Sequence, residues 1–153
     1  MSETAANENV VPAKKVAVGA EQADHEFTML AEDWDIFVDS NDMTEEDVES
    51  FEKMKAPIIR AIMRGRALVN LEDASITYKL KRDAGKTKTV VFTEPTGAAW
   101  VKMDENKGKK ANNAVRINKF LSEATGVPSA DFPKMVNSDY VFCQSVAVLF
   151  LGQ

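Results

Sequence analysis

The sequence predicts an α+β fold, in which a small antiparallel β-hairpin or meander packs with several helices and follows an acidic helical extension. Apolar residues recur at helical spacing before residue 64 and after residue 112, whereas residues 76–81 alternate between apolar and polar side chains. Hydrophobic residues make up 44% of the 153-residue chain and charged residues 28%, an ordinary globular balance. A chain of this length can bury a core of its own.

Composition divides the chain into three predicted segments. Residues 1–22 are small, polar and aperiodic, which is typical of a disordered tail. Residues 23–56 are the predicted acidic helical extension, and residues 57–153 are the predicted α+β domain. Fifteen acidic and four basic residues give residues 1–56 a charge of −11, and nine acidic and fifteen basic residues give the remainder +6, together the chain's −5. Either the two parts bind different partners, or the acidic helices lie against the basic domain.

The first helix is predicted between Asp24 and Ser40. A continuous apolar stripe with acidic residues around it consists of Phe27, Leu30, Ala31, Trp34, Phe37 and Val38. Trp34 and Phe37 are our candidates on this stripe for binding a partner.

The second helix is predicted to begin after Thr44, an N-cap residue that is followed by Asp47 and other acids in the first turn. Pro57 lacks a backbone donor and clashes with the preceding turn, so we expect a kink or a restart near Ala56. Gly65 is the residue expected just beyond the end of this helix.

A β-hairpin is predicted where the sequence period changes to two. Ile76, Tyr78 and Leu80 alternate with polar residues, and the run 88–93 follows after a polar loop that contains Gly85. Residues 67–71 are a candidate third strand. Because a lone hairpin is marginal in water, one face of this sheet must pack on helices.

Helical segments are predicted again after Pro95, and in chain order they cover residues 97–104, residues 113–124, a short turn from Ser129, and the stretch from about Ser138 to Leu151. The second of these is expected to stop at Gly126 and Pro128, the usual order of residues at a helix end.

The last helix is the most apolar part of the chain. Ten of the twelve residues in the range 140–151 are apolar, so this helix is either fully buried or completes a surface with a partner. Gln144 and Ser145 are expected on its more hydrated side. The predicted packed residues are Phe142, Val146, Leu149 and Phe150. Val141 and Val148 are the candidates for contact with a partner or for self-association.

Two short motifs and the last helix carry a family resemblance. A hairpin leads into Glu94-Pro95-Thr96 and then a helix, and a later helix closes on Thr125-Gly126, a hydrophobic residue and Pro128. With the apolar C-terminal helix, the stretch 76–151 resembles the tail assembly chaperone family of contractile-tailed, Mu-like phages.

The resemblance implies a protein that keeps the tape-measure protein soluble in the host cytoplasm during tail morphogenesis. Tail tube subunits are a second implied partner, and the protein is implied to be absent from the finished virion. Two alternatives stay open: a structural tail or baseplate component that remains in the particle, and a small phage regulator that binds nucleic acid.

Residues for catalysis or metal binding are sparse, so we expect no enzyme, no cofactor and no metal site. The chain has one histidine, His25, and one cysteine, Cys143, which lie far apart. Cys143 falls in the apolar last helix, where a thiol is normally inert core. The acids of residues 33–42 do not make a calcium loop, because Met43 and the absence of a glycine break the pattern.

The sequence lacks features of an exported or membrane protein and has one basic loop. The first residues lack a basic and an apolar signal region, and no apolar run is long enough to cross a bilayer, so we expect a cytoplasmic protein without membrane contact. Lysines 107, 109 and 110 form a basic loop, but no aromatic residue interleaves with them. Trp100 is interpreted as a core residue, and nucleic-acid binding is not favoured.

Overall fold

The computed structural model describes residues 18–36, 43–105 and 112–151. In chain order the elements are α1 (Ala20–Asp33), α2 (Glu45–Met63), β1 (Ala67–Asn70), β2 (Ser75–Ala84), β3 (Thr87–Phe92), α3 (Gly97–Asp104), α4 (Asn113–Thr125), a 3-10 helix (Ser129–Lys134) and α5 (Asn137–Leu151). An antiparallel three-stranded meander combined with helices confirms the predicted α+β class.

Helix α1 begins earlier and ends earlier than its apolar stripe predicts. It starts at Ala20, inside the segment expected to be a disordered tail, and ends at Asp33. Asp35 adopts a positive φ of 62°, and the N–H of Ile36 bonds the carbonyl of Ala31 at 3.0 Å. This Schellman arrangement terminates the helix, because aspartate tolerates the left-handed conformation better than most residues. Residues 1–17 and 37–42, with Phe37 and Val38, lie outside the described residues.

Helix α2 confirms its predicted ends. Thr44 and Asp47 form a reciprocal capping box, in which the Thr44 side chain accepts from the Asp47 N–H at 3.1 Å. Gly65 follows the helix with φ +76°, the left-handed conformation that favours glycine at this position. The expected restart near Ala56 is wrong, because one helix includes Pro57 and continues to Met63.

The sheet has the order β1-β2-β3, so residues 67–70 do supply the third strand. Ile76, Tyr78 and Leu80 point to the buried face, as their alternation predicted. The β2–β3 register is regular up to Lys79 opposite Thr89 and shifts before Ala84 opposite Thr87. A bulge of this kind bends the strand and removes backbone groups from the ladder.

Helix α5 lies at the centre of one shared core. It packs against α2, α4 and β2. The ring of Phe142 stacks on Tyr78 at a centroid distance of 4.1 Å, and Phe150 lies 5.1 Å from Trp34. The α5 side predicted to pack is confirmed, since all four of its residues are buried: Phe142, Val146, Leu149 and Phe150. Ser145 is also buried, so the expectation that it marks a hydrated side is wrong.

The acidic helices share this core with the sheet. Phe27 and Leu30 of α1 and Ile58 of α2 are buried in the same hydrophobic cluster as the residues of α5. Helix α2 also runs through residues 56 and 57, where the sequence placed the boundary between extension and domain. Burial of this apolar stripe, rather than charge, determines where the two helices lie.

Candidate polypeptide-binding surface

Helix α3 is positioned by the Glu-Pro-Thr segment that follows β3. Thr96 is its N-cap, and its Oγ1 atom accepts a hydrogen bond from the backbone N–H of Ala98 at 3.3 Å. Pro95 is half-buried and Glu94 is exposed. Proline cannot donate to a ladder and keeps the residue before it extended, so this segment turns the chain from strand to helix.

The Thr-Gly-hydrophobe-Pro segment ends helix α4. Gly126 has φ +81°, a conformation that leaves a side chain strained. Thr125 Oγ1 donates to the carbonyl of Leu121 at 2.7 Å and accepts from the N–H of Val127 at 3.2 Å. Pro128 is exposed and caps the 3-10 helix. The two motifs therefore fix the start of α3 and the end of α4.

Helices α3 and α4 form a pair with opposite chain directions. Arg116 Nη2 lies 3.3 Å from Asp104 Oδ1, and the ring of Trp100 meets Phe120 edge-on at a centroid distance of 5.3 Å. Phe120 is buried, but Trp100 is 39% exposed. The interpretation of Trp100 as a core residue is therefore wrong, although its ring packs against the buried ring of Phe120.

Large apolar side chains are exposed on this pair. Val101 of α3 is 65% exposed and Val115 of α4 is 39% exposed. With Trp100, they make up three of the seven large apolar side chains that are exposed in the described part of the chain. Exposed apolar surface on paired elements is typical of a site that binds another polypeptide. We call these three residues the α3–α4 surface.

Val141 and Val148 of α5 are both half-buried. Gln144 and Leu151, at helical spacing from them, are half-buried as well. This stripe is the least covered side of an otherwise buried helix. Only part of each valine side chain is therefore accessible to a partner.

Trp34 belongs to the core and not to a binding surface in this structure. It is 2% exposed, and its indole N–H donates to the carbonyl of Ala74 at 2.8 Å. A buried indole needs such an acceptor, and Ala74 is forty residues away in sequence, so the contact could not be read from helical spacing. Phe37, the other candidate of this stripe, lies outside the described residues.

A buried carboxylate fastens α5 to the sheet. Asp139 is fully buried in the first turn of α5 and accepts from the Tyr78 hydroxyl at 2.7 Å. It also accepts from the backbone N–H groups of Lys81 at 2.9 Å and Arg82 at 3.3 Å, where the bulge interrupts the ladder. Burial, and then this carboxylate, raise the pKa of Tyr78 above its usual range. The only sequence signal was an acid in the first turn of an apolar helix.

The two residues considered for nucleophilic chemistry lie in different environments. Cys143 is fully buried, as expected, and burial followed by the charge of Asp139 raises the pKa of its thiol to about 12. His25 is exposed on α1. Within the described residues, no three His, Cys, Asp or Glu side chains converge to hold a metal ion.

Two of the basic side chains in the described residues join neighbouring helices through ion pairs. Lysines 107, 109 and 110 lie outside the described residues, and Arg116 is engaged with Asp104. Lys55 of α2 bridges Asp24 of α1 at 2.9 Å and Glu52 at 3.0 Å, so one lysine joins the two acidic helices. Burial lowers the pKa of Lys55, but its bonds to these carboxylates outweigh that effect and raise it.

Comparison with protein-family models, with curated proteins and with solved structures found no match for the chain. Among the helices of the described residues, none combines the length and the apolar character needed to cross a membrane.

Proposed function

We propose that this chain is a binding protein and not an enzyme, specifically a tail assembly chaperone that holds the tape-measure protein in the host cytoplasm. The observation that carries the proposal is the α3–α4 surface, on which Trp100, Val101 and Val115 are exposed. The two motifs that carry the resemblance to the chaperone family set the ends of these same two helices. A chaperone must offer apolar surface that a partner covers, and this pair offers it.

The half-buried stripe of α5 is a second candidate contact in this proposal. Val141 and Val148 lie on the side of α5 that its neighbours cover least. Tail tube subunits are the second candidate partner.

Co-expression with the tape-measure protein tests the proposal. We expect the wild-type chain to bring that protein into the soluble fraction and to co-purify with it. Val101→Ser should weaken this capture, because a side chain that is 65% exposed is lost from the surface without disturbing the core. Met29→Ser is the matched control: Met29 is 41% exposed on α1 and is not part of the α3–α4 surface. If the tape-measure protein stays insoluble with the wild-type chain, the proposal is wrong.

Mass spectrometry of purified virions separates a chaperone from a structural tail component. A chaperone is released before the particle is complete, so its peptides should be missing. A stoichiometric amount in the particle would favour the structural alternative. A tape-measure gene directly downstream would support both tail functions over a nucleic-acid-binding regulator.

A further inference from the structure

The outer face of the sheet carries a row of three side chains, two of them apolar and exposed, which we call the apolar row. Leu68 of β1 lies opposite Thr77 of β2, which lies opposite Val91 of β3, so the three side chains cross the sheet in register. Leu68 is 62% exposed and Val91 is 44% exposed. The helices pack on the other face, where the alternate residues of the same strands are buried.

Opposite charges flank this row at its two ends. Arg66, Lys79 and Lys81 lie on the side towards the β2–β3 hairpin, and Arg66 Nη1 donates to the carbonyl of Lys79 at 3.3 Å. Exposed Glu72 and Asp73 lie on the side towards the β1–β2 turn. Among the described residues, none of these five side chains forms an ion pair. The face therefore has a basic end, an apolar middle and an acidic end.

A face with this order of charges is complementary to itself. A two-fold axis along the apolar row would turn a second copy over and reverse its strands. Leu68, Thr77 and Val91 would then meet their own counterparts at the usual spacing of about 10 Å between packed sheets. The basic end of each copy would lie over the acidic end of the other, since Lys81 and Asp73 are each four positions from Thr77.

We propose that this outer sheet face binds a second copy of the chain, face to face, to form a symmetric dimer. The proposal rests on the row in register and on the two charged ends, and it is independent of the proposed function. Nucleic acid is the less favoured occupant, because the acidic end would repel a phosphate backbone. The outer face of the described strands also offers no aromatic ring for a base to stack on.

The size of the face predicts a weak dimer. Three strands at about 4.8 Å spacing and six residues at about 3.4 Å give a flat area of roughly 300 Å². A stable interface buries about 800 Å² on each partner, so this contact alone is small. Self-association should therefore depend on protein concentration and, because charge contributes, fall as salt is added.

Sedimentation equilibrium of the full chain tests the proposal. The weight-average mass of the wild type should rise from 16.9 kDa towards twice that value with concentration at low salt. Two charge reversals, Lys79→Glu/Lys81→Glu at the basic end and Glu72→Lys/Asp73→Lys at the acidic end, should each keep the chain monomeric. Mixed in equal amounts, the two variants should associate at least as well as the wild type, because each supplies the charges that the other lost.

Each control separates this geometry from a less specific effect. Lys53→Glu changes an exposed lysine on α2, away from the sheet, and should leave wild-type association intact. Thermal unfolding of both double variants checks that they fold.

A wild type that is monomeric at every concentration overturns the proposal, and so does a mixture that fails to associate. Duplex DNA that binds the wild type and not Lys79→Glu/Lys81→Glu, without dimer formation, would assign the face to nucleic acid instead. The test of the proposed function is separate, because the effect of Val101→Ser on capture of the tape-measure protein does not depend on whether the chain forms a dimer.

Discussion

Gly85, at the tip of the β2–β3 hairpin, has a positive φ and lies against the carboxylate of Asp131, so a larger residue is disfavoured there. Its φ is +62°, and a Cβ atom there would overlap the carboxylate of Asp131, which also accepts from the Thr87 hydroxyl at 2.8 Å. We expect Gly85→Ala to lower the free energy of unfolding by about 2–3 kcal/mol through strain and overlap together. Urea unfolding measures the loss.

Gly97 is the matched control, because a Cβ atom added there meets nothing within 4 Å and its φ is not positive. Gly97→Ala should be neutral or slightly stabilising, as alanine favours a helix. Gly126→Ala meets open space but keeps φ at +81°, so about 1 kcal/mol of backbone strain is expected. Equal losses at Gly85 and Gly126 would show that the contact with Asp131 is unimportant.

The buried thiol of Cys143 is expected to make the protein less stable as the pH rises into the alkaline range. Burial raises the pKa of the folded thiol from 9.0 to about 12. The thiol therefore stays neutral in the folded state while the unfolded state ionises, so its contribution is complete below pH 9 and is lost as pH rises towards 12. At one pH unit above the unfolded pKa, the loss from this group is about 1.4 kcal/mol.

The measurement is urea unfolding of the wild type and Cys143→Ala at pH 8 and pH 10. Tyr78 and Tyr140, whose pKa values burial also raises, contribute to the alkaline loss in both proteins, so the difference between the slopes isolates the thiol. Cys143→Ala should start lower but fall less between the two pH values. Identical slopes would mean that the thiol ionises equally in both states.

At the scale of single elements, the sequence patterns predicted where the helices and strands lie but not which residues pack against them. The capping box at Thr44 and the glycines after α2 and α4 are local chemistry, and the sequence signals there were correct. Trp34 was expected to bind a partner but is only 2% exposed, whereas Trp100 was interpreted as core but is 39% exposed. Helical spacing identifies an apolar face, whereas the neighbour that covers it comes from a distant part of the chain.

Helix α5 is expected to divide its residues between core and contact surface. Phe142 is 2% exposed and touches the rings of Tyr78 and Phe92, so Phe142→Ala should lower the free energy of unfolding by about 3–5 kcal/mol. Val148→Ala, at a half-buried position, should cost about 1 kcal/mol or less. Urea unfolding and a pull-down with the tape-measure protein would be measured on the same variants.

The two measurements should separate the two roles. Val141→Ala and Val148→Ala should weaken the pull-down with little change in stability, whereas Phe142→Ala should act mainly on stability. If every α5 variant unfolds more easily and none binds less, α5 is core alone. The contact would then rest on the α3–α4 surface.

At the scale of the whole molecule, the sequence predicted the α+β class but not how its parts combine. A change of charge near residue 56 suggested a separate acidic extension, yet α2 is one helix across that point. The charged residues only mark the side of a helix that faces solvent. The position of α1 is determined by its apolar stripe, because Phe27 and Leu30 are buried in the core. The dimer face likewise needed the strand register, because only pairing brings residues 68, 77 and 91 into one row.

Where the folded body begins is therefore expected to differ from the composition boundary at residue 22. The N–H of Val18 donates to the carbonyl of Met63 at 3.1 Å, its side chain packs on the core, and α1 starts at Ala20. A chain shortened to begin at Gln22 loses this contact and the first two residues of α1, a loss of about 1–2 kcal/mol. For a body of this size, its thermal midpoint should fall several degrees below that of a chain beginning at Val18. Val18→Ser in the full chain removes only the apolar contact and should lie between the two. Equal thermal midpoints for the two shortened chains would mean that the folded body begins near residue 22. The stability of α1 would then come from the turns that contain Phe27 and Leu30.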